Sequence, residues 1–188
     1  MEKYREACAA FFKQIFVGES RTLVFGEGAA GARLMLIGEA PGEQEILAGR
    51  PFVGKAGKNL DQFLDAVRLE RSQLYITNAV KVRPTKVSAK GRISNRPPNR
   101  EEITLFRPWL EREIALVKPG AIATLGNVAL FAVTGKALRI GQVHGRWLEA
   151  EGMPPIFPLY HPASVIYNPS LSARYADDLR VLSLGIRD

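Results

Sequence analysis

Residues 34–60 read LMLIGEAPGEQEILAGRPFVGKAGKNL. The apolar run Arg33 to Ile37 is closed by Gly38, which predicts a buried strand. Glu39, Glu43 and Glu45 follow within seven residues, then Pro51-Phe52, several glycines, and an amphipathic stretch from Lys58 to Val67 with Leu60, Phe63, Leu64 and Val67 inward. Strand, polar loop, helix is the start of an α/β unit. Carboxylates and an aromatic directly beyond a buried strand suggest a ligand-binding loop.

The same alternation continues on both sides. Lys3 to Phe16 puts Ala7, Cys8, Phe11, Phe12 and Ile15 on one helical face. Leu74 to Val82, Ala121 to Leu125 and Ile156 to Leu159 read as further strands. Asn99-Arg-Glu-Glu102 resembles a capping box opening a helix with Ile103, Phe106, Leu110 and Ile114 inward. Pro108 contradicts that helix and should kink it. Asn127 to Val133 and Leu171 to Leu184 read as helices, and Pro84 to Pro98 as a long basic loop. Apolar strands alternating with helices predict a parallel sheet covered on both faces. Ligands of such sheets lie beyond the carboxyl ends of the strands. The loop at Glu39, the segment from Asn78 and the loop at His161 should therefore converge on one edge.

A length of 188 residues favours one domain, 1–188. No apolar run approaches the roughly 20 residues that span a bilayer, and the N-terminus lacks an apolar leader, so a cytoplasmic location is expected. A lone cysteine, Cys8, excludes an internal disulfide framework and a cysteine-only metal site. The net charge is +7, and Lys81, Arg83, Lys86, Lys90, Arg92, Arg96 and Arg100 account for the excess: no acid lies between Lys81 and Arg100. Such a segment suits a polyanion, although a charge run standing alone is more often a solvated loop.

Gly49 to Lys55 mimics a phosphate-binding loop. However, Ala56 stands where a hydroxyl residue would hold magnesium, Pro51 removes a backbone donor, and the loop starts about a dozen residues beyond its strand. Nucleotide hydrolysis is not expected from it.

GEAPGEQE, GRPFVGKAG, YITNAVKVRP and YHPAS occur in this order, at fitting distances. Together they resemble the uracil-DNA glycosylase superfamily, most closely its family 4, from about Thr22 to Leu182. The resemblance implies a three-layer α/β/α sandwich with a central four-stranded parallel sheet. It also implies hydrolysis of the N-glycosidic bond of uracil in DNA by base flipping, a DNA-repair activity, by a monomer acting on uracil-containing DNA. It implies catalytic roles for Glu39, near the attacking water, and His161, on the leaving base. Gly38, Ala40, Glu45, Phe52 and Asn78 would bind substrate; Lys81, Arg83, Lys90, Arg92, Ser94 and Ser164 would contact DNA. Val165 and Ile166 lie where a wedge would enter the stack.

Two departures stand out. Family 4 carries four cysteines around an iron–sulfur cluster. The matching positions here look like Phe12, Ile15, Val82 and Phe106, none of which can ligate iron, so no cofactor is expected. Secondly, KGRIS (Lys90 to Ser94) is similar to a loop of a subgroup that traps uracil-DNA covalently with a histidine, where Ser94 stands here.

The residue chemistry fits base excision. Extruding a base costs a few kcal/mol; stacking on an aromatic such as Phe52 returns roughly 1–3 kcal/mol. The Asn78 carboxamide matches the O4 and N3–H edge of uracil and opposes that of cytosine. His161 could donate to uracil O2 as charge grows there. Glu39 could orient water, and Glu45 could fill the space of thymine's methyl group. The alternative is a uracil- or damaged-DNA-binding protein of the same fold with weak turnover or covalent trapping. His144 has no partner in this pattern and is expected to pack locally.

Overall fold

A computed structural model of the chain describes residues 1–19 and 21–186. In chain order the elements are α1 (Glu2–Ile15), β1 (Leu34–Gly38), α2 (Glu43–Ala48), α3 (Lys55–Ala66), β2 (Tyr75–Asn78), β3 (Thr85–Val87), β4 (Ile93–Asn95) and α4 (Arg100–Val117). There follow β5 (Ala121–Leu125), α5 (Gly126–Thr134), α6 (Ile140–Val143), β6 (Ile156–Leu159), α7 (Pro162–Tyr167) and α8 (Ser172–Gly185). No helix among the described residues is long and apolar enough to cross a membrane.

The four long strands form one parallel sheet in the order β2-β1-β5-β6. Its residues are buried on both faces and alternate between two cores. Met35, Ile37, Tyr75, Ile122 and Ile156 pack with α1, α4 and α5. Leu34, Leu36, Ile76, Ala123, Leu125, Phe157 and Leu159 pack with α3, α7 and α8. This is the expected α/β/α sandwich. Because β1 has β2 on one side and β5 on the other, the chain order reverses at β1. The crevice above that reversal is where doubly wound sheets bind ligands.

Several sequence expectations change. The buried stripe of α1 is Tyr4, Cys8 and Phe12, whereas Phe11 and Ile15 are exposed. The Tyr4 hydroxyl donates to the Trp109 carbonyl at 3.1 Å, which rotates the helix away from the face that apolar spacing favours. The capping box at Asn99 forms, with Glu102 returning a hydrogen bond to the Asn99 amide. Yet α4 runs undivided past Pro108. Burial of Phe106 and Leu110 on either side of it offsets the roughly 3 kcal/mol cost of an interior proline. The supposed loop Pro84 to Pro98 contains an antiparallel hairpin, β3 with β4. The expected strand Leu74 to Val82 stops at Asn78 as a strand.

Phe12, Val82 and Phe106 meet in one core. The rings of Phe12 and Phe106 stack at a centroid distance of 4.1 Å and an angle of 11°. Ile15 lies outside this group, 47% exposed. Deleting the Phe106 ring removes both its transfer free energy and one half of the stack. Phe106→Ala is expected to lower unfolding free energy by about 3–5 kcal/mol in urea denaturation; a change below about 1 kcal/mol would contradict this packing.

Candidate active site

The carboxyl ends of β1, β2 and β6 deliver three polar segments to one edge of the sheet. Register sets Gly38 opposite Asn78, and the turn beyond β2 is tied back by hydrogen bonds from Ala79 to the Gly38 carbonyl (2.8 Å) and Val80 to the Glu39 carbonyl (3.1 Å). Gly38 is a necessity of packing: a Cβ there would sit 2.4 Å from the Phe52 ring and 2.5 Å from Asn78 Oδ1. Without it, the ring and the carboxamide close over the strand end together.

These residues line a cavity of about 470 Å³. Ala40, Glu45, Phe52, Asn78 and His161 all contribute to its wall. The Phe52 and His161 rings stand 6.1 Å apart, inclined by 31°. Asn78 is 2% exposed, and its carboxamide makes no hydrogen bond among the described residues. Its carboxamide faces the cavity, where its donors and acceptor are available to a ligand.

His161 has a defined tautomer. Its Nδ1 accepts from the Ala163 amide at 3.1 Å. A backbone N–H can only donate, so the proton of the neutral ring resides on Nε2, which becomes a donor. Burial lowers the His161 pKa to about 4, keeping the ring neutral near pH 7. Gly126, the first residue of α5, makes room for it: a Cβ there would lie 3.2 Å from His161 Cβ. Glu39 follows β1 directly, beside Ala40 of the wall. It is half-buried, and desolvation raises its pKa.

Other expected site residues are placed differently. Both Glu45 carboxylate oxygens are engaged by the backbone: Oε1 accepts from Val53 (3.0 Å) and Gly54 (2.7 Å), and Oε2 from Gly42 (3.0 Å). The carboxylate thus staples α2 to the Phe52 loop, rather than standing free against a ring substituent. The same bonds engage the amides that a phosphate cradle at Gly49 to Lys55 would need.

Lys81 does not reach a DNA surface. It is fully buried, and its Nζ donates to Thr77 Oγ1 and the Asn78 carbonyl at 2.7 Å each and pairs with Glu113. Glu113 also accepts from the hydroxyls of Tyr75 and Thr77. An ammonium in an apolar core needs this complete set of acceptors, and α4 supplies the carboxylate.

Arg83 is held by Asn95 Oδ1 at 2.7 Å and by Glu43. Lys90 and Arg92 are exposed around the hairpin without ion pairs among the described residues. Ser94 is half-buried on β4, and its neighbour Asn95 is the residue that lines the cavity. Ser164 is half-buried in α7. Val165 is core, whereas Ile166 and Tyr167 are exposed at the cavity rim. His144 pairs with Asp178 at 2.6 Å, joining α6 to α8. Asn95 and Tyr167 escaped the sequence reading; both adjoin residues that were singled out, so proximity in the chain was their only signal.

A sequence profile described as the uracil DNA glycosylase superfamily matches residues 25–182. This chain belongs to that superfamily. Among its relatives, a type-4 uracil-DNA glycosylase of Sulfurisphaera tokodaii is 41% identical over 82% of this chain and 70% of its own. A type-4 uracil-DNA glycosylase of Thermotoga maritima is 37% identical over 81% and 76%. A type-5 uracil-DNA glycosylase of Pyrobaculum aerophilum is 31% identical over 75% and 66%. The fold is shared with the crystal structure of Pedobacter heparinus SMUG2: TM-score 0.54, 15% identity, covering 98% of this chain and 83% of that one.

Desolvation makes the burial of ionised Glu39 costly. A folded-state pKa raised above the unfolded value means the fold holds the proton more tightly. This stabilises the fold at acid pH and is lost as pH rises through the raised pKa. Glu39→Gln is therefore expected to raise Tm at pH 7, with the gain shrinking toward pH 4. Thermal melts across that range check it; a lower Tm at pH 7 would contradict the desolvated site.

Proposed function

We propose that this chain is a monofunctional DNA-repair glycosylase of the family-4 type that hydrolyses the N-glycosidic bond of uracil in DNA. The convergence of Phe52, Asn78 and His161 on one cavity carries the reading. A flipped uracil stacks on Phe52, and Asn78 reads its O4 and N3–H edge with a donor and an acceptor. Cytosine presents the opposite pair there. A mismatch against buried polar groups of this kind supports discrimination on the order of 10⁴.

As the bond to deoxyribose lengthens, negative charge collects on the base and positive charge on the sugar. The Nε2–H of neutral His161 donates to uracil O2 and stabilises the first; ionised Glu39 favours the second and orients water toward the sugar carbon. Water adds there, its proton is released, and uracil leaves as the anion held by His161, giving an abasic site. No proton need pass through the imidazole, in keeping with its low pKa.

DNA binding falls to the hairpin and its surroundings. Lys86, Lys90 and Arg92 carry charge without partners among the described residues, and Arg83 lies beside the cavity rim. The apolar Ile166 and the exposed Tyr167 fit the space that the flipped base leaves. The residues present do not suit an iron–sulfur cluster. The chain has one cysteine, and burial pushes Cys8 up to about 12, which keeps it a thiol. Packed rings of Phe12 and Phe106 occupy the neighbouring core. We infer that apolar packing replaces the cluster.

Incubation with a uracil-containing oligonucleotide, followed by cleavage of abasic sites, is expected to reveal release from the wild type. Removing the preorganised donor in His161→Ala should cut kcat by about 10²–10³, and Asn78→Ala should lose most activity while both variants still bind DNA. No release from single- or double-stranded DNA would eliminate the glycosylase reading. The purified protein should be colourless and iron-free by metal analysis; stoichiometric iron would overturn the apolar replacement.

A further inference from the structure

Phe52 is one of three non-glycine residues with positive φ among those described, at 54°. For a bulky side chain this backbone conformation is costly and must be imposed by its surroundings. The ring it presents is part of the cavity wall.

One side chain grips the strained peptide from outside. Arg71, in the short 3-10 turn before β2, donates from Nη2 to the Pro51 carbonyl at 2.5 Å and from Nη1 to the Phe52 carbonyl at 2.9 Å. The guanidinium is itself fixed on two sides: Nη1 also meets Asp61 of α3 at 3.1 Å, and Nη2 meets Glu27 at 3.3 Å. Glu27 is anchored to the sheet edge by paired backbone hydrogen bonds with Ile76 (3.0 and 2.8 Å). From within, Glu45 holds the next two amides, Val53 and Gly54. Four consecutive residues thus have two carbonyls held by a cation and two amides held by an anion.

We propose that Arg71 is the positioning residue for the base-stacking ring: its planar fork holds the carbonyls of Pro51 and Phe52 and so fixes Phe52 in the orientation that receives the flipped base. The inference rests on the stacking role of Phe52 proposed above. A lysine ammonium is a point charge and cannot reproduce the fork across two adjacent carbonyls.

The test is a double-mutant cycle on uracil release. Arg71→Met is expected to lower kcat/KM roughly tenfold, within the range that a base–aromatic stack is worth. In a Phe52→Ala background the same change should have little further effect, while lowering Tm equally in both backgrounds. Should Arg71→Met fail to fold, Arg71→Lys keeps charge beside Asp61 and Glu27 and takes its place in the cycle. Hydrogen exchange at residues 50–54 should accelerate in either variant. Equal activity losses with and without the Phe52 ring, or unchanged exchange, would overturn the proposal. A wild type that releases no uracil would instead remove the glycosylase reading, and exchange alone would then decide whether the clamp exists.

Discussion

The space left by one missing side chain, at Gly38, organises this protein's site. Parallel pairing sets Gly38 beside Asn78 at the end of two neighbouring strands. The Phe52 ring and the Asn78 carboxamide both occupy the volume that a Cβ would claim. Any larger residue would separate the aromatic surface from the polar group beside it. Shape and polarity therefore depend on a single close approach at the carboxyl end of the sheet.

Beneath that edge lies a buried ionic network. Lys81 reaches back under the turn to the Asn78 carbonyl, and Glu113 from α4 completes its coordination together with Thr77 and Tyr75. Burying two opposite charges does not stabilise a fold by itself, but removing one partner strands the other in an apolar core. The arrangement ties the position of Asn78 to the seating of a helix on the far side of the sheet. That helix also carries Phe106, whose ring closes on Phe12 of α1. The end of β2 and the aromatic core around Phe106 are thus supported by the same helix.

Electrostatics divide along similar lines. His161 is kept neutral by burial, and Glu39 is made more basic by it. Desolvation thus acts in opposite senses on the two groups proposed for catalysis: it keeps the imidazole after β6 neutral and makes the carboxylate after β1 a better proton acceptor. The strongly basic stretch of the chain serves two purposes. Lys81 is consumed inside the molecule, Arg83 and Arg96 are paired with Glu43 and Glu102, and Lys86, Lys90 and Arg92 carry charge without such pairing among the described residues.

By itself, the sequence determined the layered α/β order, the polar loops beyond three strands, the capped start of α4, and the residue types needed at the cavity. These depend on local signals: apolar runs, glycines, a capping box, and motifs whose chemistry is carried by short contiguous segments. Only the tertiary structure decided where Lys81 points, which face of α1 is buried, that Glu45 is a staple, and that Arg71 grips the Phe52 loop. Each of those depends on a partner distant in sequence: Glu113 for Lys81, Trp109 for Tyr4, Val53 and Gly54 for Glu45, Pro51 and Phe52 for Arg71. A charged side chain has the same local pattern whether it faces solvent or a buried counter-charge. What separates the two cases is desolvation, which exists only once the helices have closed over the sheet.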